Sequence, residues 1–401
     1  MVRSTVAHVD LAALQHNFTT IQAFLRQDTG RMPPDVIAVV KANAYGHGSQ
    51  RVALALEQAG AAMLACADIE EGVVLRRAGV RVPILVFGAL SVSDLDGVFE
   101  FGLTPTISSP SAAKAVQAAA LARAMTIGYH LKIDTGMNRL GFRHDNVGRT
   151  LPPVLASPNL RLEAVFTHFA SADVPESTLL DTQRERFERA AGVVDGLTKG
   201  PLRRHASNSA ALLRDSRVWY DAVRPGLLLY GIVPPPLATT MPLRAVMSLT
   251  SRVTAVKGLR PGEGVGYGWR FQAEAPRSIA VVPAGYADGL DTRLGGRGSV
   301  LIRGHRAPIV GAVSMDMITV DVTGLDHVSP GDEVVILGAQ GDETWQRIDA
   351  REMAASIGTI PWEIVCRLGT RVERQYTSSG GRRGGPSGPP AGEPKGSPLR
   401  N

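Results

Sequence analysis

Lysine is scarce in this chain. Across 401 residues it occurs only at Lys41, Lys114, Lys132, Lys199, Lys257 and Lys395, and arginine carries the rest of the positive charge. Cysteine is scarcer still: Cys66 and Cys366 are far apart and form no metal-type pair, which argues against a cysteine-built metal site or a disulfide framework. No run of about 20 apolar residues is present, and Met1-Val2-Arg3-Ser4-Thr5 leads into no apolar signal core, so the expectation is a soluble, cytoplasmic protein with no membrane partner. The net charge of +6 shrinks on inspection. From Thr377 onward Arg382, Arg383, Lys395 and Arg400 stand against Glu393, leaving only +3 for the much larger body. A body so nearly balanced offers no basic stripe for a nucleic-acid backbone.

What is present is enough apolar material for a large core: 44% of the residues are hydrophobic, and the length suggests two domains. Leu11, Leu14, Phe18, Ile21 and Leu25 recur at helical spacing after Asp10, a residue that caps helix starts. Short apolar runs then follow at 36–42, 62–68, 83–89, 103–108, 127–134, 162–169, 203–209 and 222–229. Helix-patterned stretches such as 49–59, 111–123 and 182–197 lie between them. Strands alternating with crossover helices predict a parallel (β/α)8 barrel over residues 1–233. After Pro234-Pro235-Pro236 the texture changes to segments rich in Val, Ile and Thr, at 245–256, 278–283, 300–302, 309–322 and 333–337. One helical stretch is expected at 344–357. The chain therefore reads as α/β, with the barrel followed by a mainly β domain over 234–376. The Gly-, Pro- and Ser-rich residues 377–401 carry too little apolar surface to fold and read as a disordered tail.

The segment Val39-Val40-Lys41-Ala42-Asn43-Ala44-Tyr45-Gly46-His47-Gly48 delivers one of the six lysines to the carboxyl end of the first barrel strand. Function gathers at that end of a barrel, and burial lowers a lysine's pKa toward Schiff-base chemistry. The same rim is expected to hold Lys132, Arg139, His168, Asn208, Ser209 and Arg224. Each alone has an ordinary explanation as an ion-pair partner, a core histidine or a helix cap; together they read as a site. Ser209 before a helical run, and Pro225-Gly226-Leu227 after Arg224, present main-chain N–H groups suited to a phosphate. A phosphate site beside a strand-end lysine points to pyridoxal phosphate. The run Gly264-Val265-Gly266-Tyr267-Gly268 is no dinucleotide fingerprint, because no strand-to-helix turn surrounds it.

These residues, with Thr167-His168-Phe169-Ala170, His205-Ala206-Ser207-Asn208-Ser209, Gly285-Tyr286-Ala287-Asp288-Gly289 and Ser314-Met315-Asp316, resemble the alanine racemases, pyridoxal phosphate enzymes built of a barrel and a β domain. The resemblance runs from Val9 to Tyr376. It implies interconversion of L- and D-alanine, supplying D-alanine for peptidoglycan, in a homodimer with shared active sites. Lys41 would hold the cofactor as an internal aldimine and serve as one catalytic base. Tyr267 of the partner subunit would be the other, since racemisation needs acid/base groups on both faces of Cα. Cationic neighbours would lower the pKa of that phenol, and His168 with Arg224 would supply them.

The resemblance also makes Arg224 the neighbour of the pyridine nitrogen. A guanidinium keeps that nitrogen unprotonated and so favours return of the proton to Cα. Arg139, oriented by a carbamylated Lys132, would bind the substrate carboxylate, and Met315, Asp316 and Tyr286 would complete the substrate side. Tyr45, Asn208, Ser209, Gly226 and Leu227 would hold the cofactor. Trp362 stands where the family usually has a phosphate-binding tyrosine, and an indole N–H only donates. A serine, lysine or broad-specificity racemase, an amino-acid decarboxylase and a pyridoxal phosphate carrier are the competing readings. Arg224 argues against the decarboxylase, and the β domain with Tyr267 and Met315 argues against the carrier.

Overall fold

The computed structural model describes residues 4–27, 30, 32–88, 90, 95–198, 200–341 and 346–378. Eight parallel strands form the first unit: Asp35–Val39, Met63–Cys66, Ile84–Val86, Thr104–Ile107, Ile127–Asp134, Leu160–Phe166, Arg203–His205 and Ala222–Val223. Each pairs with the next in sequence, and Ala222 pairs back to Asp35, so the sheet closes on itself. The apolar runs predicted all eight. Their interiors are buried because in a closed barrel one face meets the filled centre and the other meets the helices.

The helices follow the periodic pattern. In Leu11–Leu25 the buried side chains include Leu11, Leu14, Phe18, Ile21 and Leu25, and the Asp10 carboxylate accepts from the Ala13 N–H at 2.9 Å to start the first turn. Ser49–Gln58, Pro110–Ala122 and Leu179–Thr198 form at the places the pattern predicts.

The second unit is an antiparallel-dominated sheet whose central strands include Met247–Arg252, Ser299–Ile302 and Glu333–Gln340. Four readings of this half need correction. Residues 1–233 do not all serve the barrel: Val6–Asp10 pairs antiparallel with Met247–Arg252 and parallel with Glu373–Thr377, inside the second sheet. Thr377 belongs to that last strand and pairs with Asp10, while residues 379–401 of the expected tail lie outside the described residues. The expected helix at 344–357 shortens to Ala350–Ile357, because Gln346–Ile348 pairs with Glu333–Gln340 and the Asp349 carboxylate then caps the amides of Arg351 and Glu352. Residues 344 and 345 of that stretch are outside the described residues.

The fourth correction concerns residues 309–322, which split into His305–Val310 and Ile318–Asp321. The chain leaves the sheet at Gly311 and turns at Ser314, whose hydroxyl donates to the Met317 carbonyl at 2.7 Å and accepts from its amide at 3.0 Å. That turn carries Met315 and Asp316 at its tip, and Asp316 is held by Arg371 at 2.6 Å.

Candidate active site

The strand Asp35–Val39 ends two residues before Lys41, so the lysine sits just past the strand rather than within it. Ala42, Asn43, Ala44 and Tyr45 then adopt φ of 53, 52, 54 and 51°, one turn of left-handed backbone. For residues with a Cβ this costs roughly 1–2 kcal/mol each, so the surroundings must hold the turn. They do so with bonds to nearly every polar group. The Asn43 carbonyl accepts from Gly48 N at 2.9 Å and its side chain accepts from Ser49 N at 2.8 Å. The Glu71 carboxylate accepts from Ala42 N at 2.6 Å and Asn43 N at 3.4 Å.

His47 Nδ1 reaches the carbonyls of Ala44 at 3.1 Å and Tyr45 at 2.8 Å. Carbonyls only accept, so this nitrogen carries the proton, and burial pushes the imidazole down to about 4. The second unit presses on the same turn: a Cβ at Gly46 would lie 2.1 Å from the Val365 carbonyl, and Arg374 donates to the Gly46 carbonyl at 3.0 Å. The Gly-His-Gly run is thus the seam where the two units meet behind the lysine.

Beyond this turn opens a cavity of about 410 Å³, lined by Lys41, Tyr45, Lys132, Arg139, His168, Asn208, Ser209, Arg224, Gly226, Leu227 and Trp362 among others. The volume suits a small-molecule ligand. Lys41, Lys132, Arg139 and Arg224 put four cations on its wall, against Asp173 as the only lining carboxylate among the described residues. Burial lowers the pKa of Lys41, and the Arg139 charge adds to the effect while Glu71 opposes it. Lys132 is pushed down to about 8 by burial and Arg139.

Aromatic faces lie beside two of these cations: the Phe166 ring is 5.8 Å from the Lys132 ammonium and 5.3 Å from the Arg224 guanidinium. Such an array is self-repelling until anions enter, so the pocket is built for negative charge.

Arg224 is fixed on one edge. Its Nη2 donates to the carbonyls of Thr167 at 2.8 Å and Ala206 at 2.9 Å, and Nη1 donates to His205 Nδ1 at 2.9 Å. A guanidinium only donates, so His205 Nδ1 is unprotonated. The proton of a neutral His205 then lies on Nε2, from which it is donated to His130 Nδ1 at 3.0 Å. Burial favours this neutral pair, holding His205 well below its usual range and His130 at about 4. Arg224 itself is pushed down to about 9 by burial and remains a cation at neutral pH.

His168 Nδ1 lies 3.4 Å from Arg224 Nη2, and burial with the Arg224 charge holds this imidazole neutral as well. Of these two residues, Arg224 carries the positive charge on this side.

Also on the cavity wall, the Ser209 hydroxyl accepts from Gly226 N at 2.9 Å and Leu228 N at 3.4 Å, while the Asn208 carboxamide caps the helix Ser209–Arg214 by accepting from Ala211 N. A Cβ on Gly226 would fall 2.4 Å from the Tyr45 hydroxyl oxygen, so this glycine lets the phenol reach the main chain. The phenol of Tyr45 is kept protonated by burial and is available as a donor into the cavity.

Four predicted residues are not part of this wall. Tyr267, Tyr286 and Met315 are 77%, 45% and 51% exposed, and Asp316 is exposed beside Arg371. None of the four lines the cavity. Two residues that shape the site have roles the sequence reading does not assign. His205 was visible as an inward position of a strand preceding Asn208, whereas nothing in the local pattern marks Glu71.

Comparison with known proteins decides the family. Residues 9–234 match the model of the alanine racemase N-terminal domain, and residues 246–376 match that of the C-terminal domain. This chain belongs to the alanine racemase family. An alanine racemase of Halothermothrix orenii is 38% identical, with 95% of this chain and 99% of the relative covered. Among solved structures, the alanine racemase from D-cycloserine-producing Streptomyces lavendulae matches with a TM-score of 0.87 at 34% identity, covering 94% of this chain and 98% of that one. The alanine racemase of Bartonella henselae with covalently bound pyridoxal phosphate matches at 0.82 and 29% identity, over 93% and 99%. An alanine racemase is an isomerase, and both family domains are present here in the family's order.

Proposed function

We propose that this alanine racemase family member interconverts L- and D-alanine with pyridoxal phosphate, in sites completed by a second copy of the chain. The observation that carries the reading is the cavity: a lysine of lowered pKa, three further cations and, among the described residues, one lining carboxylate, with the Tyr45–Gly226–Ser209 cradle on the same wall. That set fits an aldehyde bearing a dianionic phosphate together with a substrate carboxylate. Tyr45, Asn208, Ser209, Gly226 and Leu227 would hold the phosphate end, with the Trp362 indole N–H at the cavity wall in the family's usual tyrosine position. When bound, pyridoxal phosphate makes the Cα proton of an amino acid acidic enough to remove.

The protein residues then decide where the proton goes. Lys41, its pKa lowered by burial, takes or returns it on one face. Tyr267 of the partner subunit serves the other. Arg224, fixed by His205 and two carbonyls, would be the donor to the pyridine nitrogen, and a guanidinium there would leave that nitrogen unprotonated. Arg139 binds the carboxylate. Lys132, with an amine pushed down to about 8 and no ion pair among the described residues, is suited to carbamylation, which would turn a repelling cation into an anion beside Arg139. Met315, Asp316 and Tyr286 of the partner close the substrate side. The exposure of Tyr267, Trp269, Tyr286, Met315 and Met317 on a single chain supports a second copy as their cover.

The test is incubation of the full-length protein, loaded with pyridoxal phosphate, with single L-amino acids while each D-enantiomer is followed. D-alanine is expected to form fastest. Turnover of serine or lysine with alanine inert would assign the site to another racemase.

A further inference from the structure

We propose that Glu71 is a positioning residue for Lys41: its carboxylate clamps the first amides of the left-handed turn to the end of the neighbouring barrel strand. The inference rests on the reading of Lys41 as the cofactor lysine. Glu71 lies in the first turn of the helix Ile69–Arg77, where its own amide donates to the Asp68 cap at 2.8 Å. From that fixed base its side chain makes three bonds to two other segments. Oε1 accepts from Ala42 N at 2.6 Å and Asn43 N at 3.4 Å, and Oε2 accepts from Ala67 N at 2.8 Å, just past the strand Met63–Cys66.

Ala42 and Asn43 follow Lys41 directly, and their amides have no main-chain acceptor among the described residues. A backbone in the left-handed region relaxes toward the right-handed one when its restraints go. Lys41 is bonded directly to Ala42, so release of the turn would loosen the lysine at the strand end. A hydroxyl or amide side chain serves this place poorly: three N–H donors converge on Glu71, and a carboxylate alone offers acceptors on both oxygens.

Charge adds a second, separable effect. The groups acting on the Lys41 amine are Arg139 and Arg224, which oppose its protonation, and Glu71 and Cys366, which favour it. Asp68 and Cys66 lie on the Glu71 side of the turn. Loss of the Glu71 charge therefore lowers the pH at which Lys41 becomes a nucleophile, whereas a purely structural defect lowers the amount of competent lysine at every pH.

The experiment compares the full-length protein with Glu71→Ala, Glu71→Gln and, as a charge control on the same helix, Glu70→Gln. Each is stripped of cofactor and given pyridoxal phosphate across pH. Capture at Lys41 is timed by absorbance and by borohydride trapping with peptide mapping, and amide hydrogen exchange is read over 41–48. Glu71→Ala should slow capture roughly 10-fold or more and speed exchange in that peptide. Glu71→Gln retains one acceptor oxygen, so it should shift the acid limb of capture to lower pH with a smaller change in exchange, and Glu70→Gln should do neither. If Glu71→Ala does not fold, amide exchange over 41–48 in Glu71→Gln decides: exchange faster than in Glu70→Gln supports the clamp, and native exchange overturns it. Native capture rates, exchange and acid limb in the Glu71 variants would overturn the proposal. A label on a lysine other than Lys41 in the native protein would instead overturn the reading beneath it.

Discussion

At the scale of single residues the site is a matter of how closely groups approach. Gly226 is the clearest case, since a methyl group there would sit 2.4 Å from the Tyr45 hydroxyl oxygen, on the wall that would receive a phosphate. Gly226→Ala should therefore displace the phenol, cost about 1–3 kcal/mol in stability and weaken pyridoxal phosphate binding at least tenfold. Equilibrium dialysis of the variant against the native protein checks this, and equal affinities would remove the cradle from the account. Trp362 lines the same cavity and, on the proposed reading, stands in the place of a phosphate-binding tyrosine. Trp362→Tyr adds a hydroxyl that both donates and accepts, and about 0.5–1.5 kcal/mol of tighter cofactor binding is expected if the ring keeps its place. Weaker binding would mean that the indole already makes the better contact.

At the scale of elements, two barrel strands carry a buried histidine pair whose protons are assigned by their partners: Arg224 donates to His205, and His205 donates to His130. Both imidazoles are neutral in the fold, with His130 near 4 against an ordinary value of 6.5. Below pH 6.5 the unfolded chain takes protons that the folded chain refuses. The histidine contribution is therefore fully present above that pH and is lost as the pH falls toward 4, by up to about 3 kcal/mol for His130 alone. Urea unfolding between pH 7 and 4.5 should show a stability loss that is shallower in His130→Gln. Identical slopes would mean that the pair is not held neutral.

The same scale explains what the sequence revealed and what it withheld. The eight barrel strands announced themselves because a strand buried on both faces is a continuous apolar run. Val6–Asp10 did not, because it is a short strand whose partners, Met247–Arg252 and Glu373–Thr377, lie more than two hundred residues away. Gln346–Ile348 looked helical since pairing to Glu333–Gln340 overrides local preference. Lys41, Arg139 and Arg224 were legible as polar residues at strand ends. Glu71 was not, because its role comes from an adjacent helix reaching across the barrel rim to a left-handed turn that no periodicity betrays.

At the scale of the whole molecule, the residues of the proposed mechanism do not share one pocket within a single chain. Lys41 lines the barrel cavity, while Tyr267, Met315 and Asp316 stand exposed on the second unit and outside that cavity. The proposed two-fold dimer, in which each second unit covers the other subunit's barrel, would bring these residues together and bury the exposed aromatic and methionine side chains. The most direct measurement mixes inactive Lys41→Ala with inactive Tyr267→Ala after verified subunit exchange. Each hybrid dimer would then hold one site with both defects and one with none. With random mixing, half the dimers are hybrids and activity should return to about a quarter of the native level. No recovery in the mixture, with hybrids shown to be present, would contradict the account and mean that each chain completes its own site.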